Sequence, residues 1–377
     1  MNNYIAPELV KTINGVNILW FESSNKYILM DDTNLSLLNY FLDSSNRQEF
    51  TKRLTKSLFI SEETSYSVYE DLKQLLLQCN SLPNEALKSE IPLETFQFTE
   101  TVTYQIKNKL LEVCFSNDLI KQLIHPQFKH LEHKTTQKAD FTFHVASKDN
   151  LLYLFTNRIH CEPFKKSDTH LLQGKFAMEL LCLITNRHED DWLGTFHAST
   201  ISNDKEAVML LGESGKGKST LSAILMHNGF NLIADDFTPV LAKTQSIYAY
   251  PSAISIKEGS FKVIENYIDD FNDIKAIKNH TTKGKIKYIT PLNKLGLNNI
   301  PCYKMVLVNY QKDVPTTIEK APIESVLETL IPDSWLSPKT ENAKLFLNWL
   351  EKITFYKLTY SNNNEVIDIF KNELLTN

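Results

Sequence analysis

The chain has 377 residues, of which 42% are hydrophobic and 23% are charged, and its formal net charge is −5. This is an ordinary globular composition, and the length favours two or three domains. The slightly negative charge argues against a duplex nucleic-acid binder, which usually carries a dominant basic stripe. No apolar run approaches the roughly 18 residues that span a bilayer.

The cysteines and the N-terminus bear on the compartment. Five cysteines lie far apart, and no two have Cys-x-x-Cys spacing, so neither a disulfide framework nor a zinc knuckle is indicated. The first residues lack the basic and apolar regions of a secretory signal. We therefore expect a cytoplasmic protein without nucleic-acid or membrane partners, and the sequence leaves open whether it forms a homo-oligomer.

Residues 1–90 predict a small winged-helix-like N-terminal domain. Two apolar runs, 16–21 and 27–30, flank a polar turn, which is typical of a β-hairpin. Asp32 or Thr33 is a candidate cap for the first of three helices. The helical segments are 35–42, 47–58 and 66–79. Residues 80–95, which contain two prolines, have the composition of a linker.

Residues 96–200 predict an α+β middle region. Strand-like apolar runs precede one helix near 171–185. The runs are 101–106, 110–115, 141–146 and 151–155. The cluster of His125, His130 and His133 has irregular spacing and no accompanying acids or thiols, so a solvated helix face is a better interpretation than a metal site.

Residues 201–377 predict an α/β domain, because strand-like and helical segments alternate. The clearest strands are 207–211, 231–234 and 305–309, and helices are expected at 323–330, 343–353 and 365–375.

A phosphate loop follows the strand at 207–211. The segment reads Gly212-Glu213-Ser214-Gly215-Lys216-Gly217-Lys218-Ser219-Thr220. It fits the Walker A pattern G-x-x-x-x-G-K-[ST] without a mismatch, and a helix follows. Glycines bring backbone N–H groups against phosphate oxygens, the helix N-terminus favours the same anion, and Lys218 adds a positive charge. The Ser219 hydroxyl is the expected Mg²⁺ ligand. The sequence therefore predicts a site for ATP or GTP with Mg²⁺, and we expect ATP.

An acidic pair, Asp235-Asp236, ends the strand at 231–234, about one helix and a turn after the loop. Ligand crevices of α/β sheets lie at such strand ends. Two carboxylates there can divide the work, one deprotonating an acceptor hydroxyl and the other holding Mg²⁺. The alternative is a solvated turn. His197 precedes the loop strand, and a lone histidine is more often structural than catalytic.

These features together resemble the HPr kinase/phosphorylase-like kinases. The matching segments are His197-Ala198, the loop 212–220, Ala234-Asp235-Asp236 and Tyr250-Pro251. The resemblance is strong over 193–256. It implies that Asp235 is the base for the acceptor, that His197 orients that carboxylate and that Asp236 assists the metal.

The chain departs from that family downstream of the acidic pair. The glutamate–arginine signature of HPr kinase is missing, and 250–257 stands in its region, so HPr itself is not implied as substrate. A cation for the transferring phosphoryl group is sought among nearby lysines, although a solvated side chain is the simpler interpretation of each. The candidates are Lys257, Lys283, Lys285 and Lys287.

The first 90 residues resemble PqqD-like domains, which recognise the leaders of ribosomally made precursor peptides. The likeness comprises Pro7, the hairpin within 16–30, a helix beginning near Asn34 and the closing helix at 66–79. It implies capture of a leader peptide as an added strand on the hairpin edge. An unrelated winged-helix module and a dimerisation domain are the alternatives.

The preferred interpretation is a kinase that phosphorylates a Ser or Thr hydroxyl of a precursor peptide. A nucleotide-dependent regulatory switch and a small-molecule kinase are the alternatives. A GTPase is disfavoured, because Asn293-Lys294-Leu295-Gly296 lacks the acidic fourth residue used in guanine recognition.

Overall fold

The N-terminal unit is a three-stranded antiparallel sheet followed by three helices. In the computed structural model, which describes residues 5–82, 91–157, 159–160, 163–278, 284–292, 296 and 299–376, its elements are β1 Leu9–Ile13, β2 Val16–Phe21, β3 Lys26–Met30, α1 Asp32–Leu42, α2 Arg47–Leu58 and α3 Glu62–Cys79. The predicted hairpin is β2–β3, and all three predicted helices are confirmed. The cap of α1 was predicted wrongly: Asp31 accepts the backbone N–H of Asn34.

The strand β1 was missed, although the sequence carries a signal for it. Asn14 and Gly15 join β1 to β2, and both have positive φ, at 51° and 82°. An Asn-Gly pair between two strands favours a two-residue hairpin turn, because both residues tolerate the left-handed region. The predicted hairpin is therefore the second half of a three-stranded meander.

The middle region is a six-stranded sheet packed against two helices. Its elements are β4 Glu100–Ile106, β5 Lys109–Phe115, α4 Asp118–Phe128, β6 Phe141–Lys148, β7 Leu151–Thr156, β8 Ile159–His160, β9 Phe164–Lys165 and α5 Thr169–Thr185. The sheet order is β4-β5-β6-β7-β8, and β9 also pairs with β7. The four predicted strands and the helix α5 are confirmed. The helix α4 was not predicted, since Pro126 lies inside it and prolines usually end helices.

The third unit contains the phosphate loop and the largest sheet. Its elements are β10 Trp192–Phe196, β11 Ser199–Ser202, β12 Ala207–Leu211, α6 Lys218–His227, β13 Asn231–Ala234, β14 Thr238–Leu241, β15 Ser246–Ile247, β16 Ile254–Lys257, α7 Phe261–Ile264, β17 Ile277–Lys278, β18 Lys285–Ile289, β19 Ile300–Tyr310, β20 Thr317–Lys320, α8 Ile323–Leu330, β21 Trp335–Leu336, α9 Thr340–Leu350, β22 Thr354–Tyr360 and α10 Asn363–Ile369. A π-helical turn follows α10, where the sequence predicted a longer α-helix.

Two sheets of this unit frame the site. The ten-stranded sheet runs β13-β11-β12-β19-β15-β14-β10-β21, with β22 beside β19 and β20 beside β22. Its strands β10 and β11 begin before residue 201, so the sheet begins before the predicted start of the α/β domain. The strands β12, β19 and β22 run parallel. A small sheet, β16-β18-β17, packs over α6.

The N-terminal unit packs directly against the third unit and shares a hydrophobic core with it. Ile13, Val16 and Ile18 belong to the same buried cluster as residues of β12 and α9. The Tyr27 ring meets the Phe346 ring edge-on at 5.3 Å, and Lys11 forms a 2.7 Å ion pair with a residue just after α9. Deleting the N-terminal unit therefore exposes apolar surface on the rest of the protein. No helix in the described part of the chain is long and apolar enough to cross a membrane.

Candidate functional site

The phosphate loop lies at the carboxyl end of β12, which pairs in parallel with β19. The five residues of β12 are buried on both faces, as expected for a strand inside a covered parallel sheet. The Tyr310 N–H at the end of β19 donates to the Lys216 carbonyl at 3.2 Å. This bond ties the loop to the neighbouring strand, so the loop has a fixed place at the sheet edge.

Two loop glycines are required by the backbone and by their neighbours. Gly212 has φ +148°, and a Cβ there would lie 2.8 Å from the Val308 carbonyl oxygen. Gly217 has φ +99°, and its Cβ would lie 3.0 Å from the Tyr360 hydroxyl. Residues other than glycine rarely adopt these φ values, and neither position has space for a side chain. The backbone therefore forms a cradle of the kind that receives phosphate oxygens.

Lys218 begins α6 and reaches back over the loop. The residue is only 5% exposed, and its Nζ donates to the Gly212 carbonyl at 2.5 Å. The following residues, Ser219 and Thr220, occupy the first turn of α6, where unpaired backbone N–H groups and the helix dipole favour an anion. The loop, the lysine and the helix terminus thus fit the triphosphate of a nucleotide.

Asp235 is buried at the end of β13, in contact with the phosphate loop. It is 4% exposed, and its carboxylate accepts hydrogen bonds from the Ser199 hydroxyl and from the Ser255 backbone N–H at 3.3 Å. Burial, and then the charge of Asp236, raises the pKa of Asp235 to about 7, although the neighbouring Ser199, Ser219 and Ser255 oppose the shift. The carboxyl group can therefore gain or lose a proton near neutral pH.

Asp236 differs from Asp235 in conformation and exposure. Its φ is +61°, in the left-handed region, and its side chain is 46% exposed. His197 Nε2 lies 3.8 Å from Asp236 Oδ1, and the His197 side chain is 37% exposed. The histidine therefore faces Asp236, whereas the resemblance implied that it orients Asp235. The side chain that contacts the Asp235 carboxylate is that of Ser199 on β11, whose hydroxyl donates a hydrogen bond to it.

The strand β16 runs past the acidic pair to the phosphate loop. Ser255 donates its N–H to Asp235, and two residues later Lys257 Nζ donates to the Ser214 hydroxyl at 2.7 Å. Tyr288 on β18 stands opposite Ser255. Burial, and then the charge of Asp236, raises the pKa of Tyr288 to about 12, so its hydroxyl remains protonated at neutral pH. Sequence reasoning did not single out Ser199, Ser255 or Tyr288.

The candidate cations behave differently from one another. Only Lys257 among the described candidates contacts the loop. Lys285 is exposed and lies 3.8 Å from Glu258. The interpretation of Lys287 as a solvated side chain was wrong: it is 8% exposed, donates to the Phe271 carbonyl at 2.8 Å, and lies over two aromatic rings. Lys283 and residues 293–295 lie outside the described residues.

The donor set at the loop suits a magnesium ion bound partly by phosphate. Across the described ranges, no group of three His, Cys, Asp or Glu side chains is arranged to hold a metal ion by itself. Mg²⁺ sites in nucleotide enzymes need only one or two protein oxygens, because phosphate and water supply the rest. The Ser219 hydroxyl and the Asp235 carboxylate are in contact, and Asp236 is adjacent in the chain. These oxygens fit such a site.

Comparison with known proteins adds little. No protein-family model matches the chain, and no curated protein sequence matches it. A solved structure of the Hpr(Ser) kinase/phosphatase from Coxiella burnetii shows a weak structural likeness at 13% sequence identity, with a TM-score of 0.19, over 46% of this chain and 90% of that chain. The function proposed below therefore depends on the geometry of the site.

Proposed function

We propose that the protein is an ATP-dependent kinase that phosphorylates a Ser or Thr hydroxyl of a ribosomally made precursor peptide. The observation that carries the proposal is the contact between Asp235 and Ser219. It brings a carboxyl group with a pKa near 7 directly against the phosphate loop. A base for the acceptor and a cradle for the donor phosphates are thus neighbours, as phosphoryl transfer requires.

The proposed reaction forms one bond and breaks one. The acceptor oxygen bonds to the γ-phosphorus of ATP, the bond from that phosphorus to the β-phosphate oxygen breaks, and ADP leaves. Asp235 takes the hydroxyl proton. Lys218 and Lys257 offset the negative charge of the outer phosphates. Bound Mg²⁺, for which Ser219 and Asp236 are the proposed ligands, would neutralise phosphate charge. Catalysis of this kind is mostly positioning and charge stabilisation.

The two carboxylates are suited to different roles because their surroundings differ. Asp235 is buried, and its raised pKa lets it accept a proton near pH 7. Asp236 is exposed to the side from which a metal–phosphate complex can approach, and His197 faces it. In this scheme His197 positions Asp236 and acts on the reaction only through that carboxylate.

The N-terminal unit is proposed to hold the leader of the precursor peptide. The strand β3 pairs with β2 and has no second strand partner among the described residues, so its outer edge can accept an added strand. Holding the leader raises the local concentration of the acceptor, so the kinase site need not bind the acceptor tightly.

Mass spectrometry tests the kinase assignment. The candidate substrate is any short peptide encoded beside this gene, incubated with the protein, ATP and Mg²⁺. We expect the addition of one phosphoryl group, lost with Lys218→Ala. An unmodified peptide under conditions in which ATP is shown to bind would count against a peptide kinase and favour a small-molecule kinase or a nucleotide switch.

Hydrogen–deuterium exchange tests the leader site without deleting the N-terminal unit. The leader half of the same peptide should slow amide exchange in β3, because outward N–H groups gain partners. The core half of the peptide is the control and should leave β3 unchanged. Unchanged exchange in β3 with the leader half would contradict recognition on this edge.

A further inference from the structure

Two adjoining cavities lie between the middle region and the third unit. The first has a volume of about 430 Å³ and lies between α4 and the segment 275–278. The second has a volume of about 310 Å³ and shares Pro126, Lys129, Lys275 and Ile277 with the first. We call the two together the basic cleft, because basic groups greatly outnumber acidic ones in the first cavity. Its ionisable lining residues are Asp118, Lys121, His125, Lys129, Lys275 and Lys278.

Three of these lysines line the first cavity and form no ion pair with a described residue. Lys121 pairs with Glu100 at 3.0 Å. Lys129, Lys275 and Lys278 are exposed, and none forms an ion pair with any residue that the structure describes. Lys129 directly follows α4, Lys275 precedes β17 and Lys278 ends it, so the packing of two units brings them together. Like charges gathered around a cavity raise the local concentration of anions.

The histidines of α4 and its C-terminal turn are part of this wall. His125 Nδ1 lies 2.9 Å from the Tyr104 hydroxyl, and burial lowers the pKa of His125. His130 lines the second cavity, and its Nδ1 is buried with no hydrogen-bond partner in the described part of the chain. The expectation of a solvated helix face was therefore wrong for both.

The basic cleft leads to the acidic pair. Ala253 and Tyr288 line its second cavity. Tyr288 stands opposite Ser255, whose N–H donates to Asp235. The charge of Asp236 also contributes to the raised pKa of Tyr288. From Ala253 to Lys257, which contacts the phosphate loop, is four residues of extended chain, roughly 13 Å. The cleft and the loop thus lie on opposite sides of the acidic pair.

We infer that the basic cleft binds acidic residues of the peptide acceptor that flank the hydroxyl to be phosphorylated. The inference rests on the proposed function and gives its substrate class. The hydroxyl would lie at Asp235, with carboxylates of the same segment held by Lys129, Lys275 and Lys278. Two adjoining cavities that share four lining residues suit a chain segment better than a compact anion.

Binding of labelled peptides tests this inference separately from catalysis. The probes are a fluorescein-labelled decapeptide with one serine flanked by four glutamates and the same peptide with four glutamines. Fluorescence anisotropy is measured on the full chain with a non-hydrolysable ATP analogue and Mg²⁺. We expect the glutamate peptide to bind about tenfold more tightly at low salt, with the difference shrinking as salt rises.

Two triple variants locate the effect. Lys129→Gln/Lys275→Gln/Lys278→Gln should abolish the preference for the glutamate peptide. The matched control, Lys312→Gln/Lys344→Gln/Lys371→Gln, removes the same charge from exposed positions elsewhere and should keep the preference. Because no phosphoryl transfer is measured, these results stand whether or not the protein proves to be a kinase.

Three outcomes would overturn the inference. They are equal binding of the two peptides, absence of binding by either, and a preference that survives in the cleft variant. Citrate is added as a competitor to distinguish a site for a small anion from a site for an acidic peptide. If citrate binds in a manner that depends on the three cleft lysines while the peptides are not distinguished, the cleft serves a small anion and the peptide acceptor is excluded.

Discussion

The proposed donor side and the proposed acceptor side of the site are built in different ways. The donor side is one continuous segment, 212–220, whose geometry follows from local backbone rules and from its anchor on β19. The acceptor side assembles Asp235, His197 and Tyr288 with the basic cleft, from segments far apart in the chain. A local site can be recognised from residue spacing, whereas an assembled site depends on strand register and on packing between units.

The largest expected effect is on the donor side. Lys218→Ala should reduce phosphoryl transfer about 1000-fold or more, because a buried charge that stabilises the transferring group is removed. It should also weaken ATP binding in calorimetry. Lys205→Ala, an exposed lysine just before β12, is the control. Transfer that survives in Lys218→Ala would remove the loop from the reaction.

The next largest effect, that of Asp235→Asn, should separate turnover from ATP binding. Asp235→Asn should lower turnover about 100-fold or more, because the amide cannot take the acceptor proton. Its affinity for ATP should stay close to that of the unmodified protein, since the loop backbone is unchanged. Asp313→Asn, at an exposed position, serves as control. Full turnover in Asp235→Asn would show that this carboxyl is not the base.

A smaller effect is expected at the exposed carboxylate. His197→Gln should reduce turnover about tenfold, in line with other residues that orient a metal-binding group. Because His197 faces Asp236, the loss should appear mainly as a higher Mg²⁺ requirement, and excess Mg²⁺ should restore part of it. A loss that Mg²⁺ does not relieve would place the histidine with Asp235 instead.

A further effect is on stability and has a defined pH dependence. The pKa of Asp235 is about 7 in the folded protein against an ordinary 3.8, so the folded state holds this proton more tightly than the unfolded state. The resulting stabilisation is complete below about pH 4 and is lost as pH rises through 7. Asparagine does not titrate. From pH 5 to pH 8, the free energy of unfolding of Asp235→Asn should therefore rise relative to the unmodified protein by roughly 2–3 kcal/mol.

Chemical denaturation in a series of buffers measures that change. Asp313→Asn should follow the unmodified protein at every pH, since its side chain is exposed. A constant difference between Asp235→Asn and the unmodified protein from pH 5 to pH 8 would mean that Asp235 does not hold a proton near neutrality.

Much of the donor side was predictable from the sequence, and less of the acceptor side. The loop, its strand β12 and its helix α6 follow from spacing and apolar runs alone. The partner of His197 could not be predicted, because it depends on the local backbone conformation at Asp236, whose φ is +61°. Ser199 and Ser255 reach Asp235 through tertiary packing that no local pattern records.

The cleft was the hardest feature to predict. One wall is α4, a helix with an internal proline, and the opposite wall includes the two-residue strand β17. The strand β17 is too short to show a period, and Pro126 interrupts the apolar pattern of α4. The lysines they bring together look like solvated charges when considered one at a time. Only the packing of the middle region on the third unit shows that they face one cavity.

Phosphoryl transfer from ATP to a library of serine- and threonine-containing peptides tests the central claim most directly. The library is incubated with the protein, ATP and Mg²⁺, and the products are identified by mass spectrometry. The account predicts phosphorylated peptides in which acidic residues flank the modified hydroxyl, with no product from Lys218→Ala. A library left unmodified by a protein that binds ATP, or modified equally by Lys218→Ala, would contradict it.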